Sequence, residues 1–404
     1  MEFLLSLLLV GAVVGLFLIP ALRRRKAVKD AGRGFARAND PHTYGFVPAE
    51  QLDVRLPGPD QELVDALSET QRTQDWRPVA RLLALSADSP EHWELRWQRV
   101  QSLAGAAAVE LAQSRSAGVS GDAAPAEPGG ISFDKAAGPS FDKQAPGAAN
   151  QDGRWLRNWR AERPDDAGGA QVYAQFLVWQ ALAEPDSADH RIVLEEARNV
   201  AHEATALADA DPTPFITELF IGRALGYRKA DFESLWHQVV RRSRHHMGAH
   251  LAALPYWSEK WHGSRDEAYA FAQSAAASAP PGSLLPALPL FAVYAHLPDA
   301  QLVRGMYQSK IVEDAIEAAE FAVDGVPDEH PVRPHVLHLL LCFLVRAERY
   351  DEAMEALRVV DGYVGASPWV DSGSPVTEYA AYRALAVAGY ESQGGDTAAT
   401  PPPH

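Results

Sequence analysis

A chain of 404 residues with 47% apolar side chains is long enough to bury a sizeable core, so any disorder in it is local. The formal charge is −16, and since residues 1–37 hold a balance of +5, the rest of the chain carries about −21. An acidic body excludes the basic face that nucleic acid requires, and the single cysteine, Cys342, excludes an intramolecular disulfide and reads as a thiol packed in the apolar run Val336–Val345.

Phe3 to Leu22 is an uncharged run whose length matches a helix that crosses a hydrocarbon layer. Glu2 precedes it and Arg23, Arg24, Arg25 and Lys26 follow it, the reverse of a cleaved signal peptide. The expectation is a single-pass anchor over residues 1–22 in the cell membrane, with the body on the cytoplasmic side. Within the span, Gly11 and Gly15 have the spacing that lets two helices meet backbone to backbone, which points to a homodimer. Residues 23–60 combine glycine, proline and charge without apolar periodicity and read as a tether.

Apolar residues then recur at three- and four-residue spacing, from Leu63, Leu67, Val79 and Leu82 to Trp93, Trp97 and Val100, opening an all-α domain over 61–391. An alanine-, glycine- and proline-rich stretch over 114–153 interrupts it and is expected to be a disordered insertion. It contains a tandem, Ser132-Phe133-Asp134-Lys135 and Ser140-Phe141-Asp142-Lys143, with the form of a bivalent docking motif or of a slipped duplication. From Trp155 onward helical periodicity is nearly continuous: Trp155–Glu162, Gln171–Ala183, Ala188–Asp209, Pro212–Tyr227, Phe232–Arg242, His246–Trp261, Arg265–Ser278, Leu284–His296, Lys310–Val323, Val332–Arg346, Tyr350–Val364 and Pro375–Tyr390. Connections are short and almost no segment alternates as a strand would. Residues 392–404, with Pro401, Pro402 and Pro403, read as a disordered tail.

The segment from His245 to Asp266 gathers the most unusual side chains. On a helix, Met247, Leu251, Leu254, Ser258 and Trp261 share a core face, and His246, His250 and Trp257 lie at its edge, with Pro255 expected to kink the rod. Lys260 sits beside Trp257 and Trp261 as a cation–aromatic brace. Gly263 is expected to be a left-handed cap, and Ser264 to Glu267 a capping box that starts the next helix. His246 and His250, four residues apart, could share a metal ion with Glu259, His262 or His237, although no diagnostic metal motif accompanies them.

The pair over Val332–Val364, with Tyr350-Asp351-Glu352-Ala353 opening its second helix, resembles a tetratricopeptide-type hairpin. Asp266-Glu267-Ala268-Tyr269-Ala270 is a second start of this kind. The order Phe232, Trp236, His246, His250, Trp257, Lys260-Trp261-x-Gly263-Ser264 resembles a bacterial, actinobacterial-like helical-repeat family of unknown function with a W-x-G-S corner. The resemblance covers about Trp155 to Pro280, and His262 stands where that family has a glycine. The expected fold is therefore an irregular tetratricopeptide-like array of antiparallel helix pairs behind an N-terminal transmembrane helix. The expected function is a protein-interaction module or scaffold, with no cofactor and no catalytic residue. Its partner groove is expected at His246, His250, Trp257, Lys260 and Trp261. The alternative is a metal-binding protein or hydrolase using the His245–His250 cluster.

Overall fold

The computed structural model describes residues 41–87, 89–119, 152–297 and 305–395. Among them the chain is all-helical and has no strand; one isolated bridge joins Asp53 to Tyr363. Fifteen helices of seven residues or more carry the fold among the described residues: α1 Gln61–Thr73, α2 Arg77–Ala84, α3 Trp93–Val119, α4 Arg154–Glu162, α5 Ala167–Ala183, α6 His190–Leu207, α7 Thr213–Leu225, α8 Lys229–Arg242, α9 Met247–Ala253, α10 Arg265–Ala277, α11 Leu288–Ala295, α12 Lys310–Asp324, α13 Arg333–Arg346, α14 Tyr350–Val360 and α15 Pro375–Ser392.

From α5 onward the helices alternate between two layers. The odd-numbered helices α5, α7, α9, α11, α13 and α15 touch one another in succession, while α6, α8, α10, α12 and α14 pack outside them. The sequence carries this division, because α5, α7, α9 and α13 are apolar or small nearly all the way round and are buried accordingly, whereas α6, α8 and α10 bury only one stripe. Helix α3 runs along the inner layer, touching α5, α7 and α9, and reaches α13 where Gln98 Oε1 lies 3.0 Å from His335 Nε2. Its approach to α9 requires Gly248, where a Cβ would lie 2.5 Å from Trp97 Cε3. Asp211 ties these elements together: it accepts from Arg96 Nε at 2.6 Å, Gln171 Nε2 at 2.7 Å and Thr213 N at 2.8 Å. The carboxylate and guanidinium are both buried, and so both need these partners.

The expected transmembrane element is corrected to what the described residues show: they are all-helical, and no helix among them is long and apolar enough to cross a membrane. Even α3, the longest, carries Glu94, Arg96, Arg99, Glu110 and Arg115. Phe3–Leu22, Gly11, Gly15 and the Ser132–Lys143 tandem lie outside the described residues. The interruption starts later than the composition implied, since α3 continues through Ser114 to Val119.

The tether assigned to 23–60 is not a tether from residue 41 on. Tyr44, Phe46, Leu52 and Leu56 are buried in the main core. Their spacing is irregular because this stretch is a run of short turns and bends, held by bonds from Asp53 N to Gly362 O (2.8 Å), Val364 N to Asp53 O (2.8 Å) and Gly365 N to Leu56 O (2.9 Å). Two polar nodes fasten it to the C-terminal helices. Asp361 accepts from Val47 N at 2.6 Å, Tyr379 Oη at 3.0 Å and Arg383 Nη1 at 2.8 Å, and the same Arg383 nitrogen donates to Val47 O at 2.7 Å. His338 accepts at Nδ1 from Trp369 Nε1 (2.9 Å) and donates from Nε2 to Pro57 O (2.8 Å), an arrangement that requires the neutral ring.

Asp361→Ala would leave the fully buried Arg383 charge uncompensated and release Val47. Urea denaturation is expected to show a loss of about 3–5 kcal/mol.

Candidate functional site

The segment expected to form one kinked helix over His246–Trp261 is instead α9 followed by a 3₁₀ turn, Leu254–Trp257, and a tight corner. Pro255 lies within that turn and helps end the helix rather than bending it. His246 starts α9 with its own ring: its backbone is extended and Nδ1 accepts from Ala249 N at 3.1 Å. Nδ1 is therefore unprotonated, and burial holds this imidazole below its ordinary pKa. Met247 N donates to Glu94, whose other oxygen lies 2.9 Å from His330 Nε2. Burial alone would raise Glu94, but the bond from His330 and the neighbouring charges and N–H outweigh it and leave the carboxyl below its usual range.

His250 donates from Nδ1 to His246 O at 3.0 Å and is enclosed by the edge of Trp236 at 4.8 Å and by Phe271 at 5.7 Å. Burial pushes it down to about 4. His246, His250 and Trp257 are thus core residues, and the groove they were expected to line is closed. Lys260 is exposed and Trp261 half-buried, so the five predicted residues do not share one surface. The cations over the two indoles come from elsewhere, Lys229 at 5.3 Å from Trp257 and Arg223 at 4.8 Å from Trp261. The two imidazoles of the metal alternative each commit Nδ1 to backbone, and no group of three His, Cys, Asp or Glu placed to hold a metal occurs among the described residues.

Ser264 caps α10, accepting from Glu267 N at 3.2 Å, and donates to the Glu267 carboxylate, which also pairs with Lys229. Gly263 is required for a different reason from the one expected. It is not in the left-handed region; a Cβ there would lie 2.1 Å from Trp257 O. His262 reaches across to the last turn of α7, with Nε2 2.9 Å from Arg223 O, a contact that a glycine at this position could not make.

A surface that periodicity passed over lies on α12. At about 100° per residue, Val312, Ala315, Ile316, Ala319, Ala322 and Val323 form its buried face, and all are buried. Phe321 falls opposite them, 74% exposed, in phase with Asp314, Glu317 and Asp324. Ile311 lies at the flank of the same outward face, 53% exposed. On α14 the outward side shows the same composition, with Val359 exposed beside Glu355 and Glu352. Arg349 links the two helices, its Nη2 donating to Glu320 at 2.9 Å and to Glu352 at 3.0 Å. Lys310 is paired with Asp314 at 2.7 Å. The signal for this surface is the phase of Phe321, an aromatic that keeps step with the carboxylates and not with the core.

Comparison of the chain with protein-family models, with curated proteins and with solved structures finds no match in any of the three.

The depressed His250 pKa gives a signed pH dependence. A folded value of about 4 against about 6.5 unfolded means that its contribution is fully present above pH 6.5 and is lost as pH falls toward 4. Urea midpoints at about pH 7 and about pH 4.5 should show His250→Phe losing less stability on acidification than the parent, by about 2 kcal/mol.

Proposed function

We propose that the chain is a protein-interaction module and that its contact surface is the outward side of α12 and α14, which takes a basic, amphipathic segment of a partner. The observation that carries this reading is Phe321, an aromatic ring exposed to solvent at the centre of a carboxylate-rich helix face. Scattered exposed apolar residues are ordinary. An aromatic ringed by like charge is a different case, because the ring supplies desolvation energy while the carboxylates supply steering and partner choice. The acidic surplus of the body favours a cationic partner over an anionic one. The inner layer is less suited to the role, since α3 already lies along it. The histidine cluster supports a hydrolase reading poorly, because both imidazoles are buried and bonded to backbone.

A fluorescently labelled helical peptide with lysines on one face and leucines on the other provides the test, read by anisotropy. Binding should weaken about tenfold in Phe321→Ser/Val359→Ser and again in Glu317→Lys/Asp324→Lys. It should also fall with added salt. Equal binding of a glutamate-for-lysine peptide, or full affinity in both double variants, would overturn the assignment.

A further inference from the structure

Between α6 and α8, over α7, lies an open groove of about 760 Å³ including its mouth, of which about 390 Å³ admits the centre of a water molecule. We propose that this groove binds a small organic ammonium ion, with its charge on Glu218 and its apolar stem against Phe215 and Leu235. The site is separate from the acidic side of α12 and α14.

Helix α7 belongs to the inner layer and is closed almost everywhere. Every residue from Thr213 to Arg223 is buried except Glu218, whose side chain keeps 14% of its surface open. Glu218 is also the one carboxylate of this helix, so the single opening in α7 falls at its single acid. Two neighbours from outside the helix meet it: Tyr227 Oη donates to Oε1 at 3.2 Å, and His202 Nε2 lies 3.2 Å from Oε2. Burial and the adjacent Glu218 charge push the Tyr227 phenol up, so it keeps the proton it donates. A carboxylate has about four acceptor positions, and these two bonds leave half of them for a ligand.

Charge decides the ligand class. Glu218 and Asp231 line the groove, and among the described residues no lysine or arginine does. The guanidinium groups nearby are engaged: Arg198 with the Tyr227 hydroxyl, Arg228 with Asp231 at 2.8 Å and 3.1 Å, and Arg242 with Asp209 at 2.6 Å. An anion entering the groove would face Glu218 with no counter-charge in the lining. A cation meets a carboxylate partly withdrawn from water, where attraction is screened less than on an open surface. An ammonium head brings three N–H donors to the vacant acceptor positions. Phe215 and Leu235 supply the apolar part of the lining, the usual complement to a few placed polar groups. Asp231 and Gln238, about two turns apart on α8, set the length of the groove at about 10 Å, which suits an amine carried on a short chain or one ring.

Ligand-observed saturation-transfer NMR on the full-length protein tests this with three molecules of closely similar shape: phenethylamine, 2-phenylethanol and phenylacetate. Titration should give the amine a Kd at least about tenfold below those of the alcohol and the acid. Glu218→Gln keeps the shape of the side chain and removes its charge, and should raise that Kd about tenfold. Ser234→Trp, at an exposed position of the lining on α8, should abolish transfer by filling the groove. Phe321→Ser/Val359→Ser should leave the amine's affinity unchanged. No transfer to phenethylamine, or equal affinity for all three molecules, would overturn the proposal. So would full affinity in both Glu218→Gln and Ser234→Trp, or loss of binding in the Phe321 and Val359 double variant, which would move the amine to α12 and α14.

Discussion

The buried carboxylate of Asp361 is the constraint on which the closed form of this body depends. It holds Arg383, Tyr379 and the backbone of Val47 at once, and so joins a residue near the start of the described chain to two of its final helices. A row of helices that touch only in succession has open ends, and each end exposes an apolar face. Here the stretch from Tyr44 to Leu56 covers such a face, and His338 repeats the fastening one step further in. The polar atoms in these nodes are nearly all paired, which is what makes their burial tolerable.

The same logic accounts for the inner layer. In α5 and α13 small and apolar residues surround the helix axis, and such helices are stable only with neighbours on every side. Helix α3 supplies one of those sides, and in doing so it brings Arg96, Arg99, Gln98, Gln101 and Glu110 into the interior. Most of these find partners, Arg99 for example with Asp60 and Glu62. At Trp97 Nε1 and Gln101 Nε2 that matching is incomplete. The outer layer presents the opposite chemistry, a charged surface whose few apolar residues stand out by phase.

Much of the fold was legible because helices announce themselves by period and by their ends. The helix expected at Lys310–Val323 is α12, the start at Tyr350 is the start of α14, and the Ser264 cap is where its pattern places it. Three things were not legible, each for a physical reason. Residues 41–60 bury apolar side chains from an irregular backbone of short turns and bends, which leaves no helical period to read. His246 and His250 at the edge of an apolar stripe look like groove residues, yet the stripe is wider than α9 alone implies because α3, α8 and α10 close over it from outside the segment. Gly263 suggested a left-handed cap, whereas close approach of two backbones demands the glycine. The first two misses turn on contacts between residues distant in sequence, and the third on a close approach within one tight corner, none of which helical period encodes.

The junction around Glu110 has a consequence for how this chain can change. Gly153 N donates to Glu110 at 3.2 Å and Trp155 Nε1 lies 3.4 Å from its other oxygen, so the chain that leaves α3 at Val119 rejoins the same helix about nine residues back, a span of about 14 Å. Gly153 and Trp155 thus begin α4 against one carboxylate of α3, and a change at Glu110 would loosen the middle of one helix and the start of the next together.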